Sequence, residues 1–204
     1  MIIKICGMRE EPNIRAVELL PVDWMGFIFY PGSSRYVGEK LSLIPEKVKR
    51  VGVFVNEQPG IIRERALQNR LDILQLHGDE SPAYCRKLKE EGFKVIKAFG
   101  VKADQPFPSE EVQRYEGCCD YLLFDTKTPM YGGSGKKFNW ELLNDYRGTI
   151  PFLISGGISP GDAELIKAFS HPQLMGVDLN SGFETSPAIK DVSLLQTFIE
   201  QLIR

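Results

Sequence analysis

Pro151-Phe152-Leu153-Ile154-Ser155-Gly156-Gly157 is a run of four apolar-rich residues that empties into a hydroxyl and two glycines. A short apolar run with no polar alternation is the pattern of a strand buried on both faces, as in a parallel sheet. The glycines behind it let backbone N–H groups approach an anion with no side chain in the way, and a helix N-terminus following such a loop adds positive potential. The same construction occurs twice more. Tyr121-Leu122-Leu123-Phe124 runs into Asp125-Thr126 and Gly132-Gly133-Ser134-Gly135, and Met175-Gly176-Val177 runs into Asp178-Leu179-Asn180-Ser181-Gly182. Three such junctions in succession point to one pocket, suited to a phosphate ester, at one end of a parallel sheet.

Working outward, apolar runs recur at 2–6, 24–29, 51–55, 72–76, 94–99, 120–124, 151–154 and 174–178. Helix-like stretches follow near 10–20, 42–49, 58–69, 82–91, 109–116, 140–146, 160–169 and 189–202. Ser81-Pro82 and Ser159-Pro160 place a capping hydroxyl before proline at the first helical position. Asn139 is placed to cap a helix from Trp140 and Gly148 to end it. The last helix carries Val192, Leu195, Phe198, Ile199 and Leu202 on one face, the spacing of a helix lying on a sheet. Eight strand–helix units without a linker or repeat predict an α/β fold, a single-domain (β/α)₈ TIM barrel over 1–204. At 204 residues the loops must be lean, and two are not: 30–41 and 125–138. In a barrel both leave the C-terminal ends of strands, where chemistry sits.

The net charge is -2, from 25 Lys+Arg against 27 Asp+Glu, which gives no basic field for nucleic acid or an anionic membrane. Gly135-Lys136-Lys137 reads as a solvated loop or a local anion contact. No apolar stretch reaches the ~20 residues of a membrane span, and Met1-Ile2-Ile3-Lys4-Ile5 has no signal-peptide character. Cys6, Cys85, Cys118 and Cys119 lack metal-type spacing and read as reduced thiols, so the expected setting is cytoplasmic with no metal; Gly133-Ser134-Gly135 is too weak to argue for a dinucleotide, and no cofactor is expected.

Cys6 ends the first strand beside Gly7, where a thiol can be a general base, a nucleophile or a core filler. Asp125 ends the sixth strand after four apolar-rich residues; burying a carboxylate there is costly without a partner, so it is either a loop cap or a catalytic group. Round the ring the short way, Cys6 and Asp125 are three strands apart. At ~4.8 Å per strand, their side chains converge across roughly 10 Å. Between them lie the loops with Ser155-Gly156-Gly157 and Asn180-Ser181-Gly182, the usual barrel phosphate site. Arg35, in Ser33-Ser34-Arg35-Tyr36-Val37, is able to grip a carboxylate bidentately. His77 is either a satisfied edge histidine or a substrate contact, Asp178 an orienting or capping carboxylate, and His171 carries no signal. Cys85, Cys118 and Cys119 read as structural.

These residues resemble the phosphoribosylanthranilate isomerase family of tryptophan biosynthesis over essentially the whole chain. The resemblance rests on Lys4-Ile5-Cys6-Gly7, Ser34-Arg35-Tyr36-Val37, Gly52-Val53-Phe54-Val55-Asn56 and Leu74-Gln75-Leu76-His77-Gly78-Asp79-Glu80. It continues through Phe124-Asp125-Thr126, Gly132-Gly133-Ser134-Gly135-Lys136, Ser155-Gly156-Gly157, and Gly176-Val177-Asp178 to Ser181-Gly182. Ser34, Ser134 and Asn139 stand where the family often has proline, threonine and aspartate, and Asn180 and Phe183 where it usually has serine and valine.

The resemblance implies an Amadori rearrangement of N-(5-phosphoribosyl)anthranilate, with Asp125 as general acid and Cys6 as general base. It implies a small-molecule phosphoribosyl substrate bound by Arg35, Gly156, Gly157, Ser181, Gly182 and Asp178, in a monomer or homodimer with no nucleic-acid or membrane partner. Both catalytic groups must leave their resting protonation states: a desolvated strand end would raise the aspartate, and cationic neighbours or the iminium substrate would favour thiolate. Three competing readings remain. A histidine-pathway ketol isomerase pairs two aspartates and shows two similar halves. A non-catalytic phosphate-ester sensor needs the loops without both Cys6 and Asp125. A thiol-nucleophile enzyme would form a covalent adduct at Cys6.

Overall fold

In the computed structural model, described over residues 1–102, 104–126 and 139–203, eight parallel strands close into a ring. They are β1 (Ile2–Cys6), β2 (Trp24–Ile28), β3 (Lys49–Phe54), β4 (Ile73–Leu76), β5 (Lys94–Val101), β6 (Tyr121–Thr126), β7 (Phe152–Ile154) and β8 (Leu174–Leu179). Each pairs with its neighbours in chain order, and β1 pairs with β8 through Ile2↔Gly176 to Ile5↔Leu179. Gly176 makes that seam possible, because a Cβ there would lie 2.2 Å from the Ile2 carbonyl oxygen. The (β/α)₈ reading of the sequence holds.

Trp24, Val51, Ile73, Ile96, Ala98, Leu123 and Leu153 form a cluster fed by six consecutive strands, the packed interior of the ring. A larger cluster on the outward faces joins the strands to the surrounding helices. These are α1 (Glu11–Val17), α2 (Pro59–Gln68), α3 (Pro82–Glu90), α4 (Ser109–Gln113), α5 (Ala163–Ala168) and α6 (Val192–Ile203). The Ser81 hydroxyl caps α3 by accepting from the Tyr84 N–H at 3.2 Å. Before α5, Ser159 and Asp162 form a reciprocal capping box over a short 3₁₀ turn at Pro160–Asp162. Asn139 caps the helix predicted over 140–146, through Glu141 N–H at 3.0 Å, but Trp140–Asp145 is 3₁₀ rather than α. Gly148 does not end it; a Cβ there would meet Glu116 Oε1 and Tyr146, so it serves close packing instead.

Two further expectations are corrected. Residues 42–49 are not helical. Their N–H groups are taken from outside the segment: Glu46 and Lys47 donate to the Glu18 carboxylate, and Lys49 to the Asp23 carbonyl. Pro45 sits where a helix would need a donor. The predicted helix over 189–202 starts at Val192, because Ile189–Lys190 (β10) pairs antiparallel with Glu184–Ser186 (β9) in a small hairpin after β8. Gly132, Gly133, Ser134, Gly135, Lys136 and Lys137 lie outside the described residues. Among the described residues no helix is long and apolar enough to cross a membrane.

Candidate active site

Side chains alternate across a strand, so residues two beyond the interior layer also point into the ring, one step nearer its mouth. Ile2 and Leu123 belong to that layer, which sends Lys4, Cys6 and Asp125 the same way; Leu153 does this for Ser155, and Ile73 for Gln75 and His77. Cys6, Asp125, Arg35, Gly156, Gly157, Asp178, Ser181 and Gly182 all line one cleft at the C-terminal ends of the strands. Gln75, His77, Thr126 and Asn180 join them there.

On one side Cys6 is buried, and a Cβ on Gly26 would lie 2.7 Å from its Sγ and 3.1 Å from Lys4 Nζ. The bare α-carbon of Gly26 therefore leaves one shared space for the thiol and the ammonium. Lys4 is wholly buried, with Nζ 2.7 Å from Asp178 Oδ1, while Asp178 Oδ2 accepts from Ser155 Oγ at 3.2 Å. Burial pushes the Cys6 thiol above its ordinary value; Lys4 opposes this, Asp178 adds to it, and Lys190 opposes it again. Burial also works against the Lys4 ammonium, but Asp178 and Cys6 hold it above the ordinary amine range.

On the other side Asp125 Oδ1 accepts the Thr126 N–H at 2.7 Å, and Oδ2 lies 3.4 Å from His77 Nε2. Gln75 Nε2 is 2.9 Å from His77 Nδ1. With that amide nitrogen donating, the ring proton is left on Nε2, facing Asp125. Two buried polar atoms on this wall, Gln75 Oε1 and Thr126 Oγ1, have no hydrogen-bond partner among the described residues.

Between the two sides, Gly156 and Gly157 have φ of 82° and 69°, a left-handed pair that glycine adopts without strain. A Cβ on Gly156 would lie 2.4 Å from the Thr126 nitrogen, and one on Gly182 2.2 Å from the Ile158 carbonyl oxygen. The end of β6 and the loops after β7 and β8 thus press together backbone to backbone. Among the described residues no acceptor takes the N–H of Gly157, Ser181 or Gly182, the donors an anion would need. The two departures at this end have structural uses. Asn180 Oδ1 accepts from Lys190 Nζ at 2.9 Å, and Phe183 is buried against Phe198 with ring centroids 4.8 Å apart.

Arg35 crosses the mouth of β1, its Cδ only 2.5 Å from where a Cβ on Gly7 would be. Its guanidinium is held by Glu184, which accepts from Nη2 at 2.6 Å and from Nε at 2.9 Å. Sequence reasoning left out Lys4, Gln75, Glu184 and Lys190. Lys4 and Gln75 did carry a signal, as polar residues inside fully apolar strands must find partners. Glu184 and Lys190 sit on a hairpin whose two short strands have no pattern to read.

A family model described as N-(5'-phosphoribosyl)anthranilate (PRA) isomerase matches residues 3–201. Over 202 residues the chain is 54% identical to the N-(5'-phosphoribosyl)anthranilate isomerase of Phocaeicola vulgatus, covering 99% of this chain and 98% of that one. The crystal structure of phosphoribosyl anthranilate isomerase from Thermotoga maritima aligns with a TM-score of 0.81 at 35% identity, covering 100% of this chain and 99% of that one. A structure of such an isomerase in complex with reduced 1-(o-carboxyphenylamino)-1-deoxyribulose 5-phosphate aligns at 0.79 with 31% identity, covering 100% and 99%.

Proposed function

The chain belongs to the N-(5'-phosphoribosyl)anthranilate isomerase family, and from that premise we propose that Cys6 and Asp125 are the groups that move its protons. The activity is the Amadori rearrangement of N-(5-phosphoribosyl)anthranilate to 1-(2-carboxyphenylamino)-1-deoxyribulose 5-phosphate in tryptophan biosynthesis. The observation that carries the assignment of roles is the position of the Cys6 thiol and the Asp125 carboxylate on opposite walls of a single cleft, with the Gly156–Gly157 and Ser181–Gly182 loops between them.

Asp125 gives a proton to the furanose oxygen as the C1′–O bond breaks, and the amine lone pair forms the C=N bond of an iminium. Cys6, as thiolate, takes the C2′ proton; the released pair forms a C1′=C2′ bond and the nitrogen recovers its lone pair. C1′ then gains a proton and the 2′-hydroxyl loses one, leaving the ketone. The substrate gains two protons and loses two, so no redox partner is needed. The proton left on Cys6 and the vacancy on Asp125 are the natural donor and acceptor for that last exchange.

Because burial holds Cys6 as a neutral thiol at rest, it ionises against positive charge, supplied by Lys4 in the protein and by the iminium in the substrate. The His77 Nε2–H faces the Asp125 carboxylate and steadies it once its proton has gone. The phosphate is assigned to the loops after β7 and β8, and the anthranilate carboxylate to Arg35. Asp178 is assigned an orienting role through Lys4 and Ser155, which occupy both of its oxygens. Both catalytic groups and both loops are carried by one barrel, so the proposed catalytic unit is a single domain.

Each well-placed acid or base contributes ~10²–10⁴ in rate. Cys6→Ser and Asp125→Asn should therefore each lower kcat by about that factor with KM little changed. Loss of phosphoribosylanthranilate fluorescence reads the rate and circular dichroism checks the fold. Either variant retaining near-normal kcat would remove the role given to it.

A further inference from the structure

Arg35 meets the cleft with one of its edges already engaged. A guanidinium has two edges that match a carboxylate, the Nε/Nη2 side and the Nη1/Nη2 end. Glu184 holds the first, and Nη1 has no partner among the described residues. Glu184 is itself pinned: Oε1 also accepts from Lys190 Nζ and from the Ala188 N–H. Lys190 is anchored through its backbone, which exchanges two hydrogen bonds with the Asn13 side chain on α1, at 2.8 and 2.9 Å. The hairpin β9–β10 is thereby fastened at a fixed distance from the mouth of β1.

The three side chains are 12%, 5% and 0% exposed, and they carry two positive charges and one negative. A shielded cluster with net charge +1 is costly until an anion completes it. Arg35 lies over Gly7, next to Cys6. A carboxylate docked on its end would put an ortho amine, and the C2′ carbon two bonds beyond, beside the thiol.

We propose that Arg35, Glu184 and Lys190 form a carboxylate receptor one anion short, in which Glu184 is the positioning residue that aims the open end of Arg35 at the aryl carboxylate of the substrate. This rests on the functional reading above and extends it from the reacting atoms to substrate selection. The alternative is that the Arg35–Glu184 pair only clips the hairpin to the barrel.

Charge separates the two. Glu184→Gln makes the cluster more positive, so attraction alone would strengthen carboxylate binding; weaker binding there reports lost aim. The probes are two unreactive reduced product analogues, 1-arylamino-1-deoxypentitol 5-phosphates with and without the ortho carboxylate, titrated calorimetrically into the folded enzyme. The preference for the carboxylate form, taken as a ratio of Kd values, should fall about tenfold in Glu184→Gln, while the Kd of the other analogue stays within about twofold. Glu184→Asp, which keeps the charge but shortens the reach to Arg35, should lower the same ratio to a smaller extent and serves as the test should Glu184→Gln not fold. An unchanged or increased preference, or equal weakening of both analogues, overturns the proposal while leaving the isomerase assignment intact. Absence of phosphoribosylanthranilate turnover by the unaltered enzyme overturns both.

Discussion

Four buried thiols share this chain, and their neighbours set them apart. Burial pushes Cys85 and Cys119 up to about 12, with Lys97 and Lys89 as weak opposition. Cys6 is raised by burial too, but it alone shares a glycine-floored space with an ammonium. Lys4 outweighs Asp178 in its effect on the thiol, so removing both charges should make the thiolate harder to form. In Lys4→Met/Asp178→Asn, where no buried carboxylate is stranded, the rising limb of kcat/KM against pH is expected to move to higher pH. A limb in its original place would mean that Lys4 does not tune the base. Much at this scale was legible beforehand: Cys6, Asp125, Arg35 and the paired glycines all line the cleft. What was illegible is partnership. That Lys4 answers Asp178, 174 positions away, follows only from the closure of the ring.

The loop from β4 to α3 shows how an element is held where a side chain is needed. Lys97, on the outward face of β5, donates to the carbonyls of Leu76 and Gly78 and lies 3.1 Å from Glu80 Oε2. Glu80 Oε1 in turn accepts the N–H groups of Asn56 and Gly78. His77 rides between these fixed points. Lys97→Met leaves the Glu80 charge buried and uncompensated, so a loss of about 3–5 kcal/mol is expected from urea unfolding. Adding Glu80→Gln should recover part of it; a double variant no better than the single one would show that the two groups act independently. Elements with strong local rules were read correctly, such as α3 with Ser81 and Pro82 at its start. Residues 42–49 failed because distant Glu18 and Asp23 claim their N–H groups, and the β9–β10 hairpin escaped because strands of three and two residues carry no period.

Across the whole molecule, ionisation limits stability at both ends of the pH range. The Glu184 carboxyl is held below its ordinary value: burial would raise it, but Arg35 and Lys190 together prevail. Its contribution is present above the unfolded value and disappears as pH falls through the folded one. The thiols of Cys85 and Cys119 and the phenols of Tyr84 and Tyr115 are raised to about 12, each mainly by burial. Their contribution is complete below their unfolded values and is lost as pH climbs towards 12. The midpoint of urea unfolding is accordingly expected to decline steadily from about pH 9 upward; a flat midpoint to pH 11 would count against these groups being shielded in the native state.

The Ile2–Ile5 pairing with Gly176–Leu179 also sets when chemistry can begin. During synthesis the aspartate that steadies the lysine beside the thiol emerges 172 residues after the thiol itself (178 − 6). A nascent chain on the ribosome thus carries an ordinary, inert cysteine until that aspartate has been made and the strands have closed. The reactive centre is assembled when the ring zippers shut, β8 onto β1.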